Sequence, residues 1–171
     1  MSPAEFVIRP MTLADVSQVY ALDTISFSLP WPERSYRYEI QENRNSRPWV
    51  VEDVGAVPAR IAAMLVIWLV LDEAHVATIA VHPDYRQRGL GQRLLAHGLL
   101  SAESEGAELA YLEVRQSNLG AQALYQRFGF VVDGVRPHYY VDNGEDAILM
   151  SLRPLDPQAL TALLNASETI S

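Results

Sequence analysis

Apolar positions along this chain fall into short runs of period two, separated by stretches that repeat every three to four residues. "FVIR" at 6–9 reads as a first strand. Thr12 followed by Asp15 has the spacing of a helix start in which cap and third residue satisfy each other, and Leu13, Val16, Val19 and Tyr20 then share a helical face. Pro30 and Pro32 in "SFSLPWPERS" end that helix, because proline lacks a donor and drives the preceding residue out of helical geometry. A second helix is predicted from Glu33 to about Arg44. "WVVEDV" and "ARIAAMLVIWLVL" fit two strands with Gly55 in the turn between them. The apolar run at 61–71 is far shorter than the roughly 18 residues of a membrane span, so it reads as a buried strand.

From residue 75 the order is regular. "HVATIAV" is a strand, a glycine-arginine loop follows, and a helix runs from about Gln92 to Glu105 with Leu95, Leu99 and Ala102 on its buried face. Gly106 ends it. "LAYLEV" at 109–114 is the next strand, followed by a helix from Asn118 to Arg127 stopped by Gly129, then the strands "FVVDGV" and "EDAILMSL". Alternating strands and helices closed by two successive strands imply an α/β domain whose sheet is mixed, with helix-linked parallel pairs and an antiparallel hairpin near the carboxyl end. The polar end "NASETIS" is expected to be disordered.

Composition removes several chemistries. The formal charge is −8, which argues against nucleic-acid binding, where clustered cations must face phosphates. Every one of the 13 cationic side chains is an arginine. Without lysine there is no Schiff base and no phosphate-loop lysine, and without cysteine no thiol nucleophile or thiolate metal site. His75, His82, His97 and His138 lack metal-ligand spacing, so no metal is expected. The first residues lack the basic-then-apolar pattern of a signal peptide; with no apolar run long enough to span a bilayer, the expectation is a cytoplasmic protein without a membrane partner.

The loop "RQRGLGQRLL" at 86–95 carries the most specific pattern. A glycine-rich turn between strand and helix lets backbone N–H groups approach an anion, which the helix dipole also favours. A dinucleotide fingerprint needs a third glycine where Leu94 stands, and a phosphate-binding GK[ST] is broken by Gln92 after Gly91. What remains is [RQ]xxGxG, met by Arg86, Gly89 and Gly91, with Arg88 and Arg93 adding charge.

Three segments, "HVATIAVHPDYRQRGLGQRLL", "YLEVRQSNLGAQALYQRFGF" and "GVRPHYYVDNGEDAILM", closely resemble the GNAT N-acetyltransferases, in particular the bacterial branch that acetylates the amino-terminal alanine of a ribosomal protein. "ALDTISFSLPW" is a looser match, and residues 33–60 match poorly. The resemblance implies a single domain over 1–154 with a mixed, twisted sheet of about seven strands flanked by about four helices, then a short helix and polar tail over 155–171. It implies acetyl-CoA as cosubstrate. The backbone of Ile79, Ala80 and Val81 would hold the pantetheine arm, the loop Arg86, Gln87, Arg88, Gly89, Leu90, Gly91 and Gln92 the pyrophosphate, and Asn118 a further part of the cofactor. The implied acceptor is a protein amino terminus.

Acetyl transfer to an amine needs a base to free the amine and an acid for the departing thiolate. Strand alternation puts Tyr111, Glu113 and Arg115 on one face of an apolar strand, so Glu113 is either an ion-pair partner of Arg115 or a general base. The resemblance implies the base. Tyr125 is read from the residues as core, turned partly aside from the face of Leu124 and Phe128; the resemblance implies the general acid. Asn118 also fits a helix N-cap, and His82 is a weaker alternative base. Phe27, Trp31, Tyr139 and Tyr140 lie in aromatic loops that in the resembling branch wall the acceptor groove, and the acidic "DNGED" would suit an incoming ammonium. Lysine side chains or small amines as acceptors, and a non-catalytic acetyl-CoA-binding module, stay open at this level.

Overall fold

The structure, a computed structural model, describes residues 4–166. Among them seven strands form one sheet: β1 (Phe6–Pro10), β2 (Ser46–Asp53), β3 (Arg60–Val70), β4 (Glu73–Val81), β5 (Leu109–Arg115), β6 (Val131–Arg136) and β7 (Ala147–Leu152). Five α-helices accompany them: α1 (Val16–Ser26), α2 (Glu33–Gln41), α3 (Leu90–Ser104), α4 (Leu119–Phe128) and α5 (Pro157–Ala166). The spatial order is β1-β2-β3-β4-β5-β7-β6, antiparallel throughout except for the parallel pair β4 and β5. Every predicted strand is present. The last hairpin is antiparallel as expected, but β7 inserts between β5 and β6, an order that hydrophobic periodicity does not encode.

Burial explains why the 61–71 run is apolar at nearly every position. Leu65 and Ile67 pack with Leu94, Leu95 and Leu99 of α3, whereas Met64 and Val66 pack with Val16, Val19, Leu22 and Tyr36 of α1 and α2. A central strand covered on both faces has no polar side. The fit of α3 is close: a Cβ on Gly98 would lie 2.6 Å from Leu65 Cδ2 and 2.9 Å from Ile67 Cδ1, so any larger residue there would push these buried side-chain ends aside. The helix α5 continues the same core through buried Leu160, and Gln92 Nε2 donates to the Leu163 carbonyl at 3.0 Å.

Local signals act as read, with shifted ends. Asp15 accepts from the Thr12 backbone N–H at 2.7 Å and is gripped through both oxygens by Arg9, each at 2.7 Å. The second helix stops at Gln41 rather than near Arg44, and α3 begins at Leu90, before the expected Gln92. Asn165 and Ala166, expected to open the disordered tail, instead close α5, and the rest of that tail, from Ser167, lies outside the described residues. No helix among the described residues is long and apolar enough to cross a membrane.

Candidate active site

The one parallel pairing in the sheet is short. Only Glu73, Ala74 and His75 of β4 pair with Leu109, Ala110 and Tyr111 of β5, after which the two strands separate. The β3–β4 register slips at the same place: Val66 faces Thr78 while Ile67 faces Val76, so Ala77 is an extra residue that bends β4 away. Along its other edge β4 stays bonded to β3, ending with the His82 N–H on the Ala62 carbonyl at 2.8 Å. Backbone alternation therefore turns the N–H and C=O of Ile79 and Val81 toward β5, and those of Ala80 toward β3. Two of the three predicted backbone contacts thus face the gap.

The gap opens into a cavity of about 800 Å³ bounded by β4 from Val76 to Val81, by Glu113–Arg115 of β5, by the loop before α3, and by α4. The loop is shaped for close approach. Gly89 has φ +73°, the left-handed region, and Gln87 shares it at φ +62°. The first bond entering α3 runs from the Arg93 N–H to the Gly89 carbonyl at 3.0 Å, which leaves the N–H groups of Leu90, Gly91 and Gln92 at the open helix end. Arg86, Gln87, Gly89, Leu90, Gly91 and Gln92 all border the cavity. Arg88 does not; its guanidinium lies over the Tyr85 ring, 5.4 Å from the centroid. Arg127 of α4 takes a place there that the motif did not disclose, with Nε donating to Gln92 Oε1 at 3.2 Å.

Glu113 is not paired with Arg115. His75 Nε2 donates to Glu113 Oε2 at 2.7 Å, and the His75 ring stacks on Tyr111 with centroids 4.5 Å apart and planes inclined by 6°. That hydrogen bond holds the Glu113 carboxyl below its ordinary range, outweighing the opposing effect of burial. Arg115, on the same face, reaches outward instead: to Asp142 Oδ2 at 3.0 Å, to Glu145 Oε1 at 3.3 Å, and over the Tyr140 ring at 3.9 Å. Tyr125 is 5 % exposed and borders the cavity across from Glu113's strand, so α4 turns it inward rather than aside. Burial pushes its phenol well above the ordinary value. Asn118 is the N-cap of α4, its Oδ1 accepting from the Ala121 N–H at 3.1 Å, and it borders the same cavity. His82 caps the 3-10 turn Pro83–Tyr85 through Nδ1, which accepts from the Asp84 N–H at 3.1 Å.

Of the aromatic residues, Phe27, Trp31 and Tyr140 line the cavity. Tyr139 does not, although it packs edge-on against Tyr140 at 5.1 Å. The acidic loop is already engaged: Asp142 accepts from Ser28 and Arg115, Glu145 from the Ser117 N–H at 2.6 Å, and Asp146 from the His138 N–H at 2.9 Å. Its charge ties the loop between β6 and β7 to the loop between α1 and α2.

This arrangement can be set beside known proteins. The Acetyltransferase (GNAT) family profile matches residues 16–130. The chain belongs to the GNAT acetyltransferase family. An Escherichia coli K12 protein named as a ribosomal protein bS18-alanine N-acetyltransferase is 35 % identical over 147 residues, covering 85 % of this chain and 95 % of that protein. A Bacillus subtilis (strain 168) protein provisionally given the same name is 38 % identical over 143 residues, covering 84 % and 92 % respectively. The crystal structure of the Escherichia coli ribosomal-protein-S18-alanine N-acetyltransferase superposes with a TM-score of 0.78 at 34 % identity, over 88 % of this chain and 94 % of that one.

As a GNAT acetyltransferase the chain has the expected sheet and helix order, and its splayed β4 and β5 bring the loop, Glu113, Asn118 and Tyr125 to one cavity. Sequence reasoning missed His75, whose link to Glu113 spans 38 positions, and Asp23, a buried carboxylate on the cavity wall. For Asp23 a signal existed: an acidic residue on the buried face of α1, between Leu22 and Ser26. Among the described residues no group of three His, Asp or Glu side chains is placed to hold a metal ion.

Proposed function

We propose that this GNAT acetyltransferase transfers the acetyl group of acetyl-CoA to the α-amino group of a protein, a ribosomal small-subunit protein beginning with alanine. The observation that carries the reading is the splay of β4 from β5: it leaves backbone donors and acceptors of Ile79 and Val81 unpaired by β5 in a cavity that also holds Glu113 and Tyr125. Relatives named for that acceptor, aligned along most of both chains, support it. Such an acceptor puts the reaction in the cytoplasm.

The residues present suit the donor. Ile79 offers its N–H and C=O and Val81 its N–H to an extended amide chain, the Val81 carbonyl accepting from Arg86 Nε at 3.3 Å, and the end of α3 with Arg86 and Arg127 offers N–H groups and cations to a pyrophosphate. When bound, the donor supplies an activated acetyl thioester. Glu113, kept ionised by His75, takes the proton of the acceptor amine, directly or through a water. Tyr125, kept protonated by burial, holds the proton for the leaving thiolate. With no cysteine in the chain, no thiol carries the acetyl group between them, and transfer is direct from donor to acceptor in one ternary complex.

The test is a panel of short peptides with varied first residues, plus an amino-blocked peptide with an internal lysine, incubated with acetyl-CoA and read by mass spectrometry. Acetylation of the free α-amine, strongest with alanine first, is the expected result. Labelling of only the blocked peptide would overturn the α-amino assignment.

A further inference from the structure

The acceptor reaches the cavity as a cation, and the acidic loop that could attract it is consumed by Arg115, Ser28 and Ser117. One carboxylate in the cavity wall is not. Asp23 is 1 % exposed and lies on α1 one helical turn before Ser26, so both side chains belong to the face that borders the cavity beside Phe27 and Trp31. Its Oδ2 accepts twice, from the Tyr36 hydroxyl and from the Trp31 N–H at 3.1 Å, and the described residues supply no donor to Oδ1. Ser26 Oγ is buried and has no hydrogen-bond partner among the described residues. An oxygen of Asp23 that takes no donor from the described residues, one helical turn from a buried hydroxyl without a partner, leaves acceptors for a donor that enters the cavity. Trp31 and Phe27 close the apolar part of the same wall, and Trp31 stacks on Trp68 at 6.0 Å.

We propose that Asp23 and Ser26 form the acceptor's ammonium subsite: Oδ1 of Asp23 receives the protonated α-amine of the incoming chain and Ser26 Oγ accepts a second N–H from it. Asp23 is then a binding residue that holds the terminus in the cavity before Glu113 removes a proton. Its bonds to Trp31 and Tyr36 keep the carboxylate aimed and place an aromatic wall against the first side chain. The subsite rests on the reading of the acceptor as a protein amino terminus, and it recognises the charge of that terminus, not the residue that bears it.

The test measures binding by calorimetry to the enzyme loaded with coenzyme A, using an alanine-first peptide and the same peptide with lactyl in place of alanyl, which exchanges the amine for a neutral hydroxyl. The wild-type protein is expected to prefer the amine by about ten- to hundredfold, the size of a hydrogen bond to a charged group. Asp23→Asn should bring the two peptides within about threefold while leaving the KM for acetyl-CoA unchanged, and Ser26→Ala should weaken only the amine. Tyr36→Phe keeps the carboxylate but loses one of the bonds that aim it, so it should narrow the preference less than Asp23→Asn does; an unchanged affinity of Asp23→Asn for coenzyme A shows that the variant is folded. Equal binding of the two peptides by the wild type, or an undiminished preference in Asp23→Asn, would overturn the subsite. Mass spectrometry separates this from the acceptor reading: acetylated amine with no amine preference removes Asp23 alone, whereas no α-acetylation removes both.

Discussion

His75, the last residue of β4 paired with β5, donates to Glu113 at 2.7 Å, two residues beyond its ladder partner Tyr111. The pair sits where sheet ends and cavity begins, so its geometry is fixed on one side by the ladder and by the Tyr111 ring, and is open on the other. Glu113→Gln should lower kcat by about 10²- to 10⁴-fold, the usual contribution of a positioned base, with the thermal midpoint little changed.

His75→Phe should keep the stacking on Tyr111 and remove the hydrogen bond that depresses the Glu113 carboxyl. The sign follows from a folded value held below the ordinary 4.5: Glu113 is ionised, and its pairing stabilises the fold, above that range, and both are lost as pH falls through the lowered value. Without His75 the acid limb of kcat/KM should move to higher pH. A pH-rate profile checks it, and an unmoved limb would separate His75 from the base.

Tyr125→Phe removes only a hydroxyl from a buried ring that packs on Phe130 at 5.7 Å. The variant should fold, bind both substrates with KM values near wild type, and lose about 10²-fold or more in kcat. Because burial raises the Tyr125 phenol above its ordinary value, the alkaline limb of the wild-type profile should not come from this residue.

Arg115→Met should release the loop between β6 and β7 from its ties to Asp142 and Glu145. Hydrogen exchange over 138–146 should accelerate, and KM for peptide should rise several-fold more than kcat falls. The guanidinium is 20 % exposed, so high salt should reproduce part of the effect in the wild type and little of it in the variant.

Gly89→Ala places a side chain at φ +73°, at a strain of roughly 1–2 kcal/mol, in the turn that presents α3's open end. KM for acetyl-CoA should rise and KM for peptide should not. Steady-state kinetics with each substrate varied in turn distinguishes the two.

Elements whose cause is local were legible in the sequence. The seven strands, the helix stop at Gly129 and the N-cap at Asn118 depend on neighbours within a turn or two, and they stand where the pattern put them, with ends displaced by a few residues. Relations created by sheet register were not legible. The insertion of β7 beside β5 brings Arg115 to the acidic loop, and the short β4–β5 ladder brings His75 to Glu113. Proximity in sequence suggested Glu113 with Arg115; pairing across strands decided otherwise. Charge counting on "DNGED" likewise overlooked that its carboxylates serve the loop's own closure.

Among the described residues the ladder that joins the half-sheet β1 to β4 with the half-sheet of β5, β7 and β6 is three residue pairs long. A sheet so seamed has one place where a guest can act as mortar. A donor molecule hydrogen-bonded to β4 and held by α3 and α4 would bridge both halves, making ligand binding and tertiary cohesion one equilibrium. The melting midpoint should then climb with the logarithm of acetyl-CoA concentration, by mass action about 2.7 kcal/mol of added stability at a hundredfold excess over Kd, and peptide alone should raise it only as far as its own Kd allows.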